Sequence, residues 1–351
     1  MTGEIRSLNS LRGIAALVVV VAHFSGATGW LGGLPGLGAG QIGVMLFFVL
    51  SGFLMSYLYF DRDFTGASLR SYVVARFARV VPLFAAILLV SIIAPRIGVT
   101  GVFFDLPTRT QIASHVLLLS GKNILWTIPT EIHFYVAFVG FWWLASKRKG
   151  VGIGAAAVAI AVVIALGFPR FQGETIRAIP YDLRLGQVSP YFLAGVVIAA
   201  AYKKWPPPTS RQSSWWSLVL LAIPLMYPLV FEELFGFRHR LWNDAFVLLA
   251  ISAIFAVILF GVPATSGVLA NRLGDYLGRI SYSLYLLHVP VMWVVRKIDL
   301  PDTIRFVLFL FASIGVATLT FEFFERPVGR TIRRRAAGRK EEVTPRLPAR
   351  L

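Results

Sequence analysis

The residues most able to do chemistry are ionisable side chains set inside long apolar stretches, where a charge costs about 2.5–3.5 kcal/mol on insertion scales and therefore marks function. Arg12 and His23 are eleven positions apart. In a helix that is three turns plus about 20°, which puts both on one face with about 16 Å of axis between them. The imidazole suits proton transfer near neutrality. Arg76 and Arg79, at i and i+3 just before Pro82, share a second face. Opening a helix there, two guanidiniums and free backbone N–H groups would suit a phosphate.

Two further stripes stand out. Thr127, Glu131 and Tyr135 recur every fourth residue behind Trp126, so a carboxylate lies on an otherwise apolar helix. It needs a partner, either a base such as His23 or a substrate hydroxyl. Ser281, Tyr285 and His288 fall at i, i+4 and i+7 on one face of a later stretch. Glu325 is expected to form a structural pair with Arg76 or Arg79 at the same depth.

The elements that must position these groups are transmembrane helices. The chain has 351 residues, 57% hydrophobic and 15% charged, against about 45–50% and 25% in soluble domains. Apolar runs near the roughly 20 residues needed to cross a bilayer recur along it, and their backbones must bond internally as helices. Ten spans are expected, near 10–27, 40–60, 78–96, 124–146, 151–168, 188–203, 214–231, 244–262, 280–296 and 303–325. The fold class is thus all-α, a polytopic bundle of about ten helices. The first is read as a retained helix, because Arg12 and His23 interrupt its apolar run and no small-x-small cleavage site stands out.

Lysine and arginine placement puts both termini in the cytoplasm. Lys147, Arg148 and Lys149, the pair Lys203 and Lys204, and the arginines from Arg326 onward are the strongest signals. Residues 1–335 form one membrane domain, and 336–351 a basic tail expected to be disordered. The net charge of +17 fits a cytoplasmic face against anionic lipid rather than nucleic acid. The absence of cysteine removes disulfides, thiolate metal sites and a cysteine nucleophile, and no metal is expected.

Six segments in order resemble acyltransferase family 3, the integral membrane O-acyltransferases of bacterial surface saccharides and some macrolides. They are Ser10 to Ala16 with His23; Gly43 to Phe53; the arginine pair before Pro82; Trp126 to Tyr135; Gly278 to His288; and Phe324-Glu325-Arg326-Pro327. The resemblance implies a ten-helix inner-membrane domain that takes an acyl group, usually acetyl, from cytoplasmic acyl-CoA to an extracytoplasmic hydroxyl. Arg12 and His23 match the family's arginine–ten residues–histidine motif, and Arg76 and Arg79 its arginine pair. Two departures occur: Ile132 stands where many members have a second acid, and His133 where glutamine is common. No extracytoplasmic hydrolase-like domain of the kind some members carry is expected, so such a step would need a separate partner.

Motifs and resemblance combine into one expected scheme. Arg12, Arg76 and Arg79 hold acetyl-CoA phosphates, His23 is the general base, and Glu131 orients it. Ser51 and Tyr135 donate to the thioester oxyanion. Trp126, Tyr285 and His288 face the substrate. Polar loops at 169–187 and 232–244, with Arg170, Arg177, Asp182, Arg184 and Trp242, are candidates to read a saccharide. The competing expectation is a transporter or flippase, against which no two halves with matching broken helices are found.

Overall fold

The computed structural model describes residues 6–174 and 178–338. Helices α1 (Arg6–Thr28), α2 (Ala39–Tyr59) and α3 (Gly66–Ile93) lead into a short α4 (Arg109–Val116). Then come α5 (Thr127–Lys147) and α6 (Lys149–Ala165). A two-stranded antiparallel hairpin follows, β1 (Phe171–Glu174) and β2 (Pro180–Leu183), with Phe171 opposite Leu183. The chain continues through α7 (Leu185–Lys204), α8 (Ala222–Leu225), α9 (Pro228–Phe235), α10 (Ala245–Gly261) and α11 (Arg272–Val295). It closes with α12 (Asp302–Thr320), a π-turn at Phe321–Glu325, and α13 (Arg326–Gly338).

All ten expected spans fall on helical segments, but they are not ten equal crossings. Six helices are long and apolar enough to cross a membrane, or seven if the pair Ser214–Leu225 and Pro228–Phe235, bent by 88°, is one span. The chain is a multi-pass membrane protein. Two more apolar helices, α6 and α10, have 17 residues each, about 25 Å of rise. Helix α11 is long enough but opens with Arg272, Asp275 and Arg279.

Three differences from the sequence reading have physical causes. Pro82 does not delay the third helix: Thr65 caps it by accepting from the Ser68 N–H, so α3 begins at Gly66 and carries Pro82 inside. Arg76 and Arg79 therefore lie in the helix body, and unpaired N–H groups contribute nothing beside them. The 169–187 loop contains the hairpin, whose β2 holds Asp182. Helix α13 runs three residues into the expected disordered tail, whose remainder, 339–351, lies outside the described residues.

Small residues set the helix spacing. A Cβ on Gly52 of α2 would stand 1.8 Å from the Phe192 carbonyl oxygen of α7, and one on Gly195 of α7 would stand 2.0 Å from the Val49 oxygen of α2. Where α1 crosses α11, Gly278 lies against the Asn9 backbone in the same manner, at 2.3 Å. Such contact is how helices associate in lipid, where packing and hydrogen bonds replace the hydrophobic drive. Helix α1 is tied at one end by Arg6 to Asp275, 2.7 Å, and at the other by Phe24 stacked on Phe309, 5.3 Å between centroids. Its Arg12-to-His23 face is thereby held against α2 and α11.

Candidate active site

Two cavities lie along that face. The first, about 380 Å³, is lined by Arg12 of α1, Ser51 of α2, Arg76 and Arg79 of α3, Thr127, Glu131 and Tyr135 of α5, Ser281, Tyr282 and Tyr285 of α11, and Arg333 of α13. The arginine pair and the polar stripe of α5, far apart in sequence, thus share one space.

The cations of this cavity are partly restrained. Arg79 donates to Glu325 at 2.7 Å, and Ser283 donates to the other carboxylate oxygen at 2.7 Å. Glu325 is the structural partner expected from the sequence, and its side chain is 6% exposed. The Arg79 guanidinium also lies over the Tyr282 ring at 5.5 Å, and that of Arg76 over Tyr135 at 5.7 Å. Yet Arg76 Nε and one terminal nitrogen of Arg79 are buried without an acceptor among the described residues. Arg12 makes no hydrogen bond among them and feels Arg79, Glu131 and Glu325 electrostatically. Buried donors left unmatched cost free energy, so an acceptor reaching these guanidiniums would be stabilising.

Glu131 does not meet His23. Its Oε1 accepts from the Ser51 hydroxyl at 3.3 Å and from the Tyr135 hydroxyl. Both hydroxyls expected to face an oxyanion thus point their protons at this carboxylate.

The second cavity, about 480 Å³, contains His23, Gln41, Trp126, Arg170, Arg184, Gln187 and Trp242 among its lining. The partner of His23 is His288, with Nε2 of His288 3.0 Å from Nδ1 of His23. His288 Nδ1 lies 2.8 Å from the Tyr285 carbonyl and 3.2 Å from that of Leu284. Carbonyls only accept, so in the neutral ring Nδ1 carries the proton and Nε2 is the acceptor. His23 must then donate from Nδ1, which leaves its Nε2 with a free lone pair. His288 is fully buried and reaches His23 through this contact.

At the rim, Asp182 receives Arg170 at 2.7 and 2.9 Å and Arg184 at 2.8 Å, and Arg184 stacks over Trp126 at 4.4 Å. Burial pushes the Asp182 carboxyl up, but hydrogen bonds from both arginines outweigh it and hold the group below the usual carboxylate range. A folded pKa below the unfolded one, about 3.9, gives stabilisation that is full above the unfolded value and lost as pH falls through the folded one. Asp182→Asn should therefore free the hairpin at neutral pH, read as faster amide exchange at 178–184. Acidification below the carboxylate range should do the same to wild type. Unchanged exchange in the variant would show that the clamp is idle. Arg177, named with this loop, lies outside the described residues.

Val44 and Tyr285 line both cavities. Tyr285, whose hydroxyl donates to the Ile124 carbonyl at 3.1 Å, lies between the arginine-lined chamber and the histidine-bearing one.

Residues 5–322 match the acyltransferase domain family Acyl_transf_3. The chain belongs to this family. The acyltransferase is 27% identical over 362 residues to a putative O-acetyltransferase, SACOL0978, of Staphylococcus aureus, a match covering 92% of this chain and 57% of that protein. It is 24% identical over 358 residues to the peptidoglycan O-acetyltransferase OatA of Listeria monocytogenes, covering 92% and 55%. The acyltransferase thus spans little more than half the length of these curated relatives. No solved structure matches it.

Sequence reasoning grouped Glu131, Ser51 and Tyr135 with His23, whereas the structure puts these three in the chamber of Arg12, Arg76 and Arg79 and leaves His23 and Trp126 in the other. It missed Arg333 and Gln41. Arg333 had a faint signal, the amphipathic arginine spacing after Pro327, but nothing local says that α13 folds back onto α3.

Proposed function

We propose that the protein is a membrane O-acyltransferase that carries an acetyl group from acetyl-CoA to a saccharide hydroxyl, with both termini on the cytoplasmic side of the cell membrane. The observation that carries this reading is the pair of unlike chambers joined at Val44 and Tyr285. One offers unmatched guanidinium donors to phosphates, and the other offers a histidine lone pair among aromatic and amide groups that suit a sugar.

In the reaction, Arg12, Arg76 and Arg79 hold the donor phosphates while the pantetheine arm carries the thioester to where the two chambers join. Glu131, fixed by Ser51 and Tyr135, is the counter-charge to Arg12. The acceptor hydroxyl lies against His23 beside Trp126. His23 Nε2 takes the hydroxyl proton as the oxygen attacks the thioester carbonyl carbon. The tetrahedral adduct then breaks its C–S bond, and the departing thiolate takes that proton from the imidazolium. His288 accepts from His23 Nδ1–H throughout and keeps the reacting nitrogen fixed.

Because one relative is named for peptidoglycan, soluble muropeptides are the first acceptors to offer. Protein in nanodiscs, which leave both faces open to solution, given radiolabelled acetyl-CoA and muropeptides should release free CoA and label the acceptor in equal amounts. Uptake of a sugar or anion into proteoliposomes without any acetyl-CoA turnover would replace this reading with that of a transporter.

A further inference from the structure

Arg333 is the one cation of the arginine-lined chamber that comes from α13, and neither its position nor its exposure fits a lipid-facing helix alone. Gly329 brings α13 onto α3: a Cβ there would lie 3.1 Å from the Ala78 carbonyl, and the Arg333 guanidinium folds back to 3.5 Å from the same point. The start of α13 is held by the π-turn, whose Glu325 is gripped by Arg79 and Ser283. The guanidinium so placed lines the cavity with Arg12, Arg76 and Arg79. It is exposed and makes no hydrogen bond or ion pair among the described residues. Its neighbours Arg76 Nε and an Arg79 terminal nitrogen are buried without acceptors.

The gradient of restraint across these cations is informative. Arg79 is committed on one side to Glu325, Arg76 rests on Tyr135, and Arg333, exposed at the mouth, has no partner among the described residues. A donor entering from that mouth carries a diphosphate in its middle and, in CoA, a separate 3′-phosphate at its far end. The buried guanidiniums suit the group that goes deepest, and the exposed one suits the group that stays outside.

Resting on the acetyl-CoA reading above, we infer that Arg333 is a donor-binding residue that pairs with the terminal 3′-phosphate of the nucleotide. It lets the enzyme distinguish CoA thioesters from shorter pantetheine thioesters. Helix α13 is then part of the donor site and not only an anchor on anionic lipid.

The test compares acetyl-CoA, acetyl-dephospho-CoA and S-acetylpantetheine on the full chain in nanodiscs. Wild type should prefer acetyl-CoA to the dephospho form about tenfold in kcat/KM, the scale of one charge-assisted contact. In Arg333→Gln that preference should disappear while the ratio between the two shorter donors stays as in wild type. Arg333→Lys should restore part of it, since an ammonium keeps the charge but not the fork. Binding of adenosine 3′,5′-bisphosphate, read by calorimetry, should weaken in parallel. A preference for the 3′-phosphate that survives in Arg333→Gln, with unchanged bisphosphate binding, overturns the assignment and leaves the donor reading standing. Wild type that turns over none of the three donors overturns both.

Discussion

Replacing His23 with alanine should lower acetyl transfer by about 10²–10⁴-fold, the usual contribution of a positioned general base, while acetyl-CoA binding stays near wild type. The two effects separate because the arginines proposed to hold the donor phosphates line one chamber and His23 the other. The same experiment reaches His288. With its Nε2 removed, His23 loses one of its two acceptors and keeps only the Val19 backbone carbonyl, so its tautomer is held less firmly, and the wrong tautomer has no base facing the acceptor. His288→Ala should therefore cost a large part of the His23→Ala loss. His288→Gln, whose amide oxygen can accept from Nδ1–H, should recover some of it. The double variant should be no slower than His23→Ala, because residues acting as one unit are not additive. Full turnover in folded His23→Ala protein, measured by CoA release, would remove the base from the scheme. His288→Ala and His288→Gln with identical rates would remove the tautomer argument.

Gly52→Leu should prevent assembly of the bundle. A Cβ at this position would stand 1.8 Å from the Phe192 carbonyl oxygen, and Gly195 meets Val49 across the same seam. The obstacle is backbone on both sides, so no side chain can turn away, and α2 and α7 would have to separate. Over-packing of ordinary cores costs about 1–3 kcal/mol, and this position should exceed that range. Ser51, next to Gly52, would lose its contact with Glu131 at the same time. Gly140→Leu is the control, since a Cβ there meets nothing within 4 Å. Fluorescence-detected size exclusion after heating should show Gly52→Leu aggregated at temperatures where Gly140→Leu elutes with wild type. Equal melting of the two would mean that the seam is not rigid.

The site was legible in the sequence wherever one helix carries the pattern. The Thr127, Glu131, Tyr135 stripe faces one cavity because the four-residue period is a property of α5 alone. Arg12 and His23 share the face their spacing predicts. Pairings between helices were legible only where depth decided them, as for Glu325 and Arg79. Glu131 and His23 lie on different helices, and nothing in either helix's period fixes the rotation that assigns them to different chambers. His288 became the partner of His23 because Gly13, Gly274 and Gly278 let α1 and α11 approach, a property of two surfaces at once. The start of α3 was misjudged because Pro82 weighs more in local reasoning than the Thr65 cap seventeen residues earlier.

The waist at Val44 and Tyr285 bears on the cell's energy supply. In the proposed orientation the two chambers face opposite sides of the membrane, and an open hole between them would short-circuit the ion gradients the membrane exists to maintain. Two side chains, one of them pinned to the Ile124 carbonyl, stand where those chambers meet. In the proposed reaction, what crosses there need be no larger than an acetyl group on its thioester, so the reacting carbon itself can serve as the stopper while it passes. Chemistry and insulation would then depend on the same few ångströms of protein.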